Sequence, residues 1–108
     1  MIRGDTTTAS WNAMFDSLAH ATRRRVLAEL TDSADVSVDS LSRRTDPDAS
    51  PETTRTTLYH AHLPKLERNG FIWWDRENDT VGRGPRWETA ESVLTAADYL
   101  TGRPTSRP

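Results

Sequence analysis

A run of short hydroxyl side chains around one arginine is the part of this 108-residue sequence best equipped to hydrogen-bond a partner. The run and the two residues that continue its face are Thr53, Thr54, Arg55, Thr56, Thr57, His60 and Ala61. A guanidinium donates paired hydrogen bonds to the acceptor edge of guanine, while hydroxyls suit phosphates and small apolar groups suit thymine methyls. The pattern predicts contact with nucleic acid. The alternative is a polar helix face that only meets solvent.

Further arginines lie where they would reach phosphates. Arg43 and Arg44 close a short predicted helix, where cations complement the negative end of the helix dipole. Arg83 and Arg86 flank a Gly-Pro step in a predicted hairpin, from which a guanidinium would reach a narrow minor groove. The alternative for Arg83 and Arg86 is that they are solvated charges on the hairpin and do not contact a partner. The three arginines at residues 23–25 would contact phosphates beside the groove, although Arg24 and Arg25 could equally pair with Glu29 or Asp32.

Residues for catalysis or metal binding are scarce. The chain has no cysteine, which excludes disulfides, thiolate nucleophiles and thiolate ligands. His60 and His62 form a His-X-His pair, but residues two apart on a helix point to different sides, and His20 is the only other histidine. No nucleophile, base and orienting acid form a recognisable arrangement. We therefore expect no metal, cofactor or enzymatic activity, and we expect His62 to pack against the first helix with its ring hydrogen-bonded.

Charge and length indicate a small binding module. The sequence has 14 Lys and Arg against 16 Asp and Glu, a net charge of −2, so a nucleic-acid interpretation depends on where the arginines lie. At this length one domain with a single small core is expected. No apolar run approaches membrane-spanning length, and residues 1–10 lack the apolar core of a secretion signal, so we expect a cytoplasmic protein without membrane contact.

Residues 50–70 predict the long helix that positions the threonine run. Ser50 is suited to cap its start, Pro51 suits the first helical position, and Glu52 favours the positive end of the dipole. Asn69-Gly70 supplies a left-handed stop. Apolar positions recur at three- and four-residue steps and form one packing stripe, which consists of Leu58, Tyr59, His62, Leu63 and Leu66. One face of the helix should therefore pack, while the other stays free to contact a partner.

The remaining elements follow from caps, turns and periodicity. We expect a loose arm (1–8), two helices jointed at 20–22, a short helix near 36–44, the helix 51–69, a hairpin (71–75 with 80–81 and 86–88), a helix (91–100) and a disordered tail (102–108). Thr22 would cap the second helix, and Ser37 or Asp39 the short one. Gly82 and Gly84-Pro85 interrupt the return limb of the hairpin and predict a bulge or a flexible tip there. Pro64 should kink the long helix near His60.

The order helix, helix, helix, hairpin, helix is that of a winged helix-turn-helix, and two stretches resemble arsenic-repressor-like (ArsR-type) regulators. Residues 15–30, Phe-Asp-Ser-Leu-Ala-His-Ala-Thr-Arg-Arg-Arg-Val-Leu-Ala-Glu-Leu, resemble their opening helix. Residues 62–72, His-Leu-Pro-Lys-Leu-Glu-Arg-Asn-Gly-Phe-Ile, resemble the end of their recognition helix as it leads into the wing. Residues 59–66 also resemble small winged-helix domains of salt-loving archaea, mostly of unassigned function. The arginine-rich, lysine-poor composition is similar to that of proteins from salt-loving archaea, although a GC-rich genome alone would also favour it.

The resemblance covers roughly residues 11–88 and implies the fold class. It implies an α+β, mainly α winged helix-turn-helix with a three-helix core, a β-hairpin wing and a C-terminal helix, as a DNA-binding domain over residues 9–101. Residues 51–69 would then read the major groove, while the wing at 71–88 would contact the backbone or the minor groove.

The aromatic and terminal apolar residues leave surface for a partner. If Ile72 and Trp74 face the core, then Trp73 faces outward. The terminal helices carry more apolar positions than a small domain needs, and a homodimer would use them: Trp11, Val93, Leu94, Ala97 and Leu100. Packing against Trp87 within one chain is the competing account.

Two functions follow from these patterns. The first is a dimeric transcriptional regulator that binds double-stranded DNA. The second is a winged-helix protein–protein interaction module that uses Trp73 and the terminal helices and does not bind nucleic acid. The net negative charge supports the second.

Overall fold

The computed structural model describes residues 19–100 together with Asn12 and Asp16, without the side chains of residues 97–100. Within this part the fold is α+β and mainly helical, with one small antiparallel sheet. Its elements are α1 (Ala21–Asp32), β1 (Asp35–Ser37), α2 (Val38–Arg44), α3 (Pro51–Thr57), a π-helical segment (Leu58–His62), α4 (Leu63–Arg68), β2 (Ile72–Asp75), β3 (Thr80–Arg83) and α5 (Trp87–Leu100). The expected arm (1–8), the expected tail (102–108) and Trp11 lie outside the described residues.

Residues 51–68 comprise α3, the π-helical segment and α4 in unbroken succession, and we term them the central helix. The hydroxyl of Ser50 caps it by accepting a hydrogen bond from the Thr53 N–H at 3.1 Å, and Pro51 occupies its first turn. At the other end Gly70 adopts a left-handed φ of 82°, and its N–H donates to the Glu67 carbonyl at 3.0 Å. Both predicted ends are confirmed, because each is set by chemistry within four residues of it.

Pro64 disturbs the middle of the central helix as expected. Proline has no N–H to donate to the carbonyl of His60, four residues earlier. The helix accommodates this loss by widening into the π-helical segment, in which the Leu63 N–H bonds to the Leu58 carbonyl five residues back. Where the sequence predicted a kink near His60, the structure shows this π-helical segment.

The sheet contains a strand that the sequence analysis did not predict. Its order is β1-β3-β2 with both pairings antiparallel, and Val36 of β1 lies opposite Val81 of β3. Val36 therefore belongs to a strand and not to the short helix, which begins at Val38. The hydroxyl of Ser37 caps that helix by accepting from the Ser40 N–H at 3.0 Å, which confirms one of the two predicted caps.

The return limb of the hairpin is more regular than predicted. β3 pairs with β2 residue by residue, so the bulge expected at Gly82 is wrong. The indole ring of Trp73 lies across Gly82, and a Cβ there would come within 2.4 Å of that ring, so a larger residue would displace the ring. Residues 86–88 are also not a strand, since a turn at Gly84-Pro85-Arg86 leads directly into α5 at Trp87.

The helix that follows the joint at residues 20–22 is α1, and it begins with a cap other than the predicted one. Nδ1 of His20 accepts from the Thr22 N–H at 3.2 Å, so His20 and not Thr22 caps α1. Thr22 is itself buried. A histidine nitrogen with a free lone pair replaces the expected hydroxyl oxygen as acceptor.

The core gathers one face from every helix and the inner face of the sheet. Its buried hydrophobic residues are Val26, Leu27, Leu30, Val38, Leu41, Leu58, Leu63, Leu66, Phe71, Ile72, Trp74, Val81, Trp87, Ala90 and Leu94. Trp73 points away from it and is 42% exposed, as the strand alternation predicts. No helix of the described part is long and apolar enough to cross a membrane.

Two of the residues expected at a dimer interface pack within their own chain. Leu94 is only 8% exposed and belongs to the core with Trp87, and Val93 packs partly buried against the same cluster. This corrects the dimer expectation for Leu94, because α5 packs against α1 and Leu94 is buried in the core. The side chains of Ala97 and Leu100 lie outside the described residues.

Replacing Gly84 with alanine should destabilise the fold by about 1–3 kcal/mol or more. A Cβ there would come within 2.6 Å of the Gly70 carbonyl oxygen and 2.7 Å of the Ile72 nitrogen, and neither backbone atom can move freely. Gly82→Ala is the matched control, since the exposed ring of Trp73 can swing toward solvent. Urea unfolding should show the larger loss for Gly84→Ala. Equal losses in the two variants would contradict the packing argument.

Candidate nucleic-acid interface

One face of the central helix is open to solvent. Its residues, which we term the threonine face, recur at three- and four-residue steps and are Thr53, Thr56, Thr57, His60 and Ala61, all exposed. The Thr56 hydroxyl donates to the Glu52 carbonyl at 3.2 Å, and the Thr57 hydroxyl to the Thr53 carbonyl at 3.1 Å. Because these protons are committed to the backbone, the threonine face offers outward oxygen lone pairs and methyl groups. Such groups suit amino donors and thymine methyls on base edges.

Thr54 does not belong to this face, which corrects one predicted contact. It is 2% exposed, and its hydroxyl oxygen is buried without a hydrogen-bond partner among the described residues. The reason is helical geometry, since Thr54 lies one turn before Leu58 and extends the apolar stripe. The four-residue spacing to Leu58 was the sequence signal that could have placed it inward.

Arg55 lies at the margin of the threonine face and is held by the hairpin turn. Its Nη2 donates to the carboxylate of Asp79 in an ion pair, and 41% of its side chain remains exposed. The guanidinium carbon lies 5.3 Å from the centre of the Tyr59 ring, a cation–π contact. The pKa of Arg55 is raised above its ordinary value, first by the hydrogen bond to Asp79. The guanidinium is present as predicted, but it is paired with a carboxylate.

Asp79 is the residue of the candidate site that the sequence analysis did not identify. Its other carboxylate oxygen accepts from the Tyr59 hydroxyl, and its backbone carbonyl accepts from the Val38 N–H at 2.9 Å. Its φ of 56° is left-handed, which aspartate tolerates better than most residues. The hydrogen bond to Asp79 raises the pKa of Tyr59. Turn composition predicted a turn here, but nothing local in the sequence connects residue 79 to residue 55.

A chain of rings and cations continues from Arg55 across the hairpin. Tyr59 packs edge-on against Trp74 with ring centres 4.9 Å apart, and Arg76 lies over Trp74 at 4.0 Å. Arg76 also pairs with Glu67 at 3.1 Å and is more than half exposed. This arrangement puts a partly exposed cation, Arg76, in the hairpin turn itself.

A shallow hollow opens beside the threonine face. It has a volume of about 180 Å³ and is open to solvent, and its lining residues are Arg55, Thr56, Tyr59 and His60. The hollow thus combines guanidinium donors, a threonine oxygen, a phenol ring and an imidazole. Such a combination can hydrogen-bond and stack on a planar polar group.

Arg43 and Arg44 are exposed and lightly paired. Arg43 pairs with Asp39 at 3.0 Å, and Arg44 pairs with Glu29 at 3.3 Å, with more than 60% of each arginine side chain exposed. Exposed pairs of this kind stabilise by roughly 0–1 kcal/mol. Both arginines can therefore exchange a carboxylate for a phosphate at little cost.

Arg83 and Arg86 lie at the base of the hairpin, and both guanidiniums donate to backbone carbonyls of their own chain. Arg83 donates from Nε to the Leu30 carbonyl at 2.8 Å and from Nη2 to the Thr31 carbonyl at 3.2 Å, so it covers the C-terminal end of α1. Arg86 donates to the Asn69 carbonyl at 3.1 Å, at the end of the central helix. The last carbonyls of a helix have no partner within it, and these guanidiniums supply one.

The arginines at residues 23–25 also have structural partners. Arg25 donates to the Thr45 carbonyl at 3.0 Å, beyond the end of α2. Arg23 is buried, donates to the Asp16 carbonyl at 2.8 Å and lies 3.4 Å from Nδ1 of His62. Arg23 also lies 3.9 Å from the Asp16 carboxylate, so Arg23 and Arg25 both have partners inside the chain.

His62 is 3% exposed with its ring hydrogen-bonded to Arg23, as expected, but it packs against α1, the helix after the joint at residues 20–22 and not the one before it. Its ring also contacts that of His20, with centres 4.3 Å apart. Burial, then the nearby charges of His20 and Arg23, lower the pKa of His62 from 6.5 to about 4. His60, by contrast, is exposed on the opposite side. In the described part no three His, Cys, Asp or Glu side chains come together as a metal site.

The chain belongs to the family described as "Domain of unknown function (DUF7344)", whose model matches residues 15–82. The match includes the whole central helix and nearly all of the hairpin. No curated protein and no solved structure matches the chain. Because the family description assigns no activity, the geometry of the central helix and hairpin carries the functional inference.

Acidification should weaken the fold through His62. The unfolded chain binds a proton near pH 6.5, whereas the folded chain does so only near pH 4, so stability present above pH 6.5 is lost between these values. The expected loss is about 2–3 kcal/mol. Urea unfolding of the wild type and His62→Gln at pH 7, 6 and 5 measures it. If the difference between the two proteins is independent of pH, His62 is not the group responsible.

Arg83→Ala should lower the free energy of unfolding by about 1–3 kcal/mol, because two helix-end carbonyls lose a charged donor. Arg43→Ala is the matched control and should change it by less than about 1 kcal/mol. Thermal unfolding of the two variants provides the comparison. A loss for Arg83→Ala no greater than that of the control would contradict the capping role.

Proposed function

We propose that this chain is a winged helix-turn-helix protein that binds double-stranded DNA and acts as a transcriptional regulator. The observation that carries the proposal is the uncovered threonine face of the central helix. A polar helix face that neighbouring elements frame but do not cover is the form in which such folds present a recognition helix to the major groove.

The arrangement of elements supports the winged-helix part of the proposal. α2 and the central helix are joined by the polar turn at residues 45–50 and pack on each other, as a helix-turn-helix requires. The hairpin of β2 and β3 follows the central helix directly and would be the wing, with β1 as a third strand along it. The ArsR-type resemblance of residues 15–30 and 62–72 points to the same fold.

We assign the proposed DNA contacts to residues that are exposed or partly exposed in the structure. Thr53, Thr56, Thr57, His60 and Arg55 would face base edges in the major groove. Arg43 and Arg44 would hold phosphates beside it, and Arg76 in the hairpin turn takes the place first given to Arg83 and Arg86. Thr54 leaves the interface because it is buried.

The paired cations limit how strongly such an interface attracts phosphates. Arg43, Arg44 and Arg76 each have a carboxylate partner in the free protein. Three phosphate contacts would give a salt dependence with a slope of about −3 at most in a log–log plot. Binding would therefore be modest and would depend on short-range contacts to bases. Dimerisation through the terminal helices, which would set the spacing of two half-sites, stays a prediction.

An interaction module without DNA binding is the second candidate, and one observation favours it. Trp73 is 42% exposed and lies flat against the sheet over Gly82, which leaves a broad aromatic surface for an apolar partner. Salt separates the candidates, since DNA affinity falls steeply with salt, while an apolar contact changes little or tightens.

Fluorescence anisotropy with labelled random-sequence 25-bp duplexes at several salt concentrations tests the first candidate. The wild type should bind, and Arg43→Ala with Arg44→Ala should reduce the salt slope by about 1–2 without changing sequence preference. Arg68→Ala removes an exposed arginine at the far end of the central helix and should leave the slope nearly unchanged. No binding to any duplex at the lowest salt at which the protein stays folded would overturn the proposal.

A further inference from the structure

The contact between the hairpin turn and the central helix does more than join two elements. Asp79 holds Arg55 by its carboxylate, and the same carboxylate is itself held by the Tyr59 hydroxyl. The Asp79 backbone is tied in turn to the start of α2 through the Val38 N–H at 2.9 Å. The acidic partner of Arg55 is thus fixed at three points.

We propose that Asp79 is a positioning residue that orients Arg55 toward the hollow beside the threonine face, so that Arg55 recognises the edge of a guanine and not a phosphate. This inference rests on the DNA-binding function proposed above. It assigns to the hairpin turn a part in sequence discrimination in addition to any contact of its own with DNA.

The geometry fixes the orientation of Arg55 but leaves most of its N–H donors without a hydrogen bond among the described residues. Arginine has five N–H donors, and among the described residues only Nη2 of Arg55 makes a hydrogen bond. The Tyr59 ring supports the guanidinium plane at 5.3 Å, and the side chain remains 41% exposed at the wall of the hollow. A guanidinium held in this way loses less conformational freedom when it binds a second planar group.

The charge of the pair selects the kind of acceptor. Arg55 and Asp79 together carry no net charge, so the pair gives little attraction to a phosphate, and the Asp79 carboxylate repels one. The O6 and N7 atoms of guanine are neutral acceptors that a guanidinium matches with two hydrogen bonds. The pair should therefore contribute to sequence preference and contribute little to the salt slope.

Asp79→Asn is a clean test because asparagine is well tolerated at left-handed φ and keeps the backbone bond to Val38. The substitution frees the charge of Arg55 while it weakens its orientation. A purely structural role for Asp79 would lower the affinity for every duplex in proportion to lost stability. The positioning role predicts opposite changes, with stronger binding to arbitrary DNA and weaker discrimination.

The experiment compares the wild type, Asp79→Asn, Arg55→Ala and Glu77→Gln. Glu77 is exposed in the same turn, so Glu77→Gln makes the same charge change without touching the contact. Selection from a random 20-bp library defines the preferred duplex. Fluorescence anisotropy then measures the affinity for that duplex and for versions in which each guanine in turn is replaced by adenine. Urea unfolding of each variant confirms that it is folded.

The wild type should discriminate against one guanine replacement by roughly tenfold to a hundredfold. Arg55→Ala and Asp79→Asn should lose that discrimination at the same position, and Asp79→Asn alone should steepen the salt slope by about 1. Glu77→Gln should keep the discrimination. A folded Asp79→Asn that still discriminates as the wild type does would overturn the positioning role, while DNA binding itself would stand. Absence of wild-type binding to the whole library would instead overturn the proposed function and this inference with it.

Discussion

The contacts of Asp79 set the geometry on which the rest of the structure depends. Its carbonyl fixes the first turn of α2, and its carboxylate joins the hairpin to the central helix through Arg55 and Tyr59. The hairpin is also held by its pairing with β1 and by the core packing of Ile72, Trp74 and Val81. The Asp79 contacts add to this packing a polar link between the hairpin turn and the wall of the hollow.

Several arginines of the described part donate to the backbone of their own chain, and others pair with carboxylates. Arg25, Arg83 and Arg86 each donate to carbonyls at or just beyond the end of a helix. Such carbonyls would otherwise need water, and a guanidinium covers two of them at once in the case of Arg83. An arginine count taken from the sequence therefore overstates the charge available to a polyanion. This explains how an arginine-rich chain with a net charge of −2 can keep its exposed cations few and paired.

Local chemistry made part of this structure predictable, and distant contacts did not. The Ser50 cap and the stop at Gly70 depend on bonds within four residues, so the sequence pattern sufficed for both. β1 has three residues and exists only because Val36 meets Val81, which no local pattern reveals. The partners of Arg55 and Arg83 lie 24 and 53 residues away in the chain. For that reason the sequence predicted the helix of the candidate site and its exposed threonines. It did not predict the carboxylate that pairs with Arg55.

If the proposed function holds, this interface of paired cations and threonine methyls binds DNA by different forces from those of a positively charged groove. Non-specific affinity for DNA comes almost entirely from phosphate neutralisation and disappears as salt rises, whereas hydrogen bonds and methyl contacts to bases act at short range and are screened far less. The arginine-rich, lysine-poor composition is similar to that of proteins adapted to concentrated salt, where the phosphate contribution is already suppressed. Under those conditions little affinity is lost by pairing Arg55 with Asp79. The interface keeps the difference in binding free energy between a matching and a non-matching base pair, and a regulator depends on that difference.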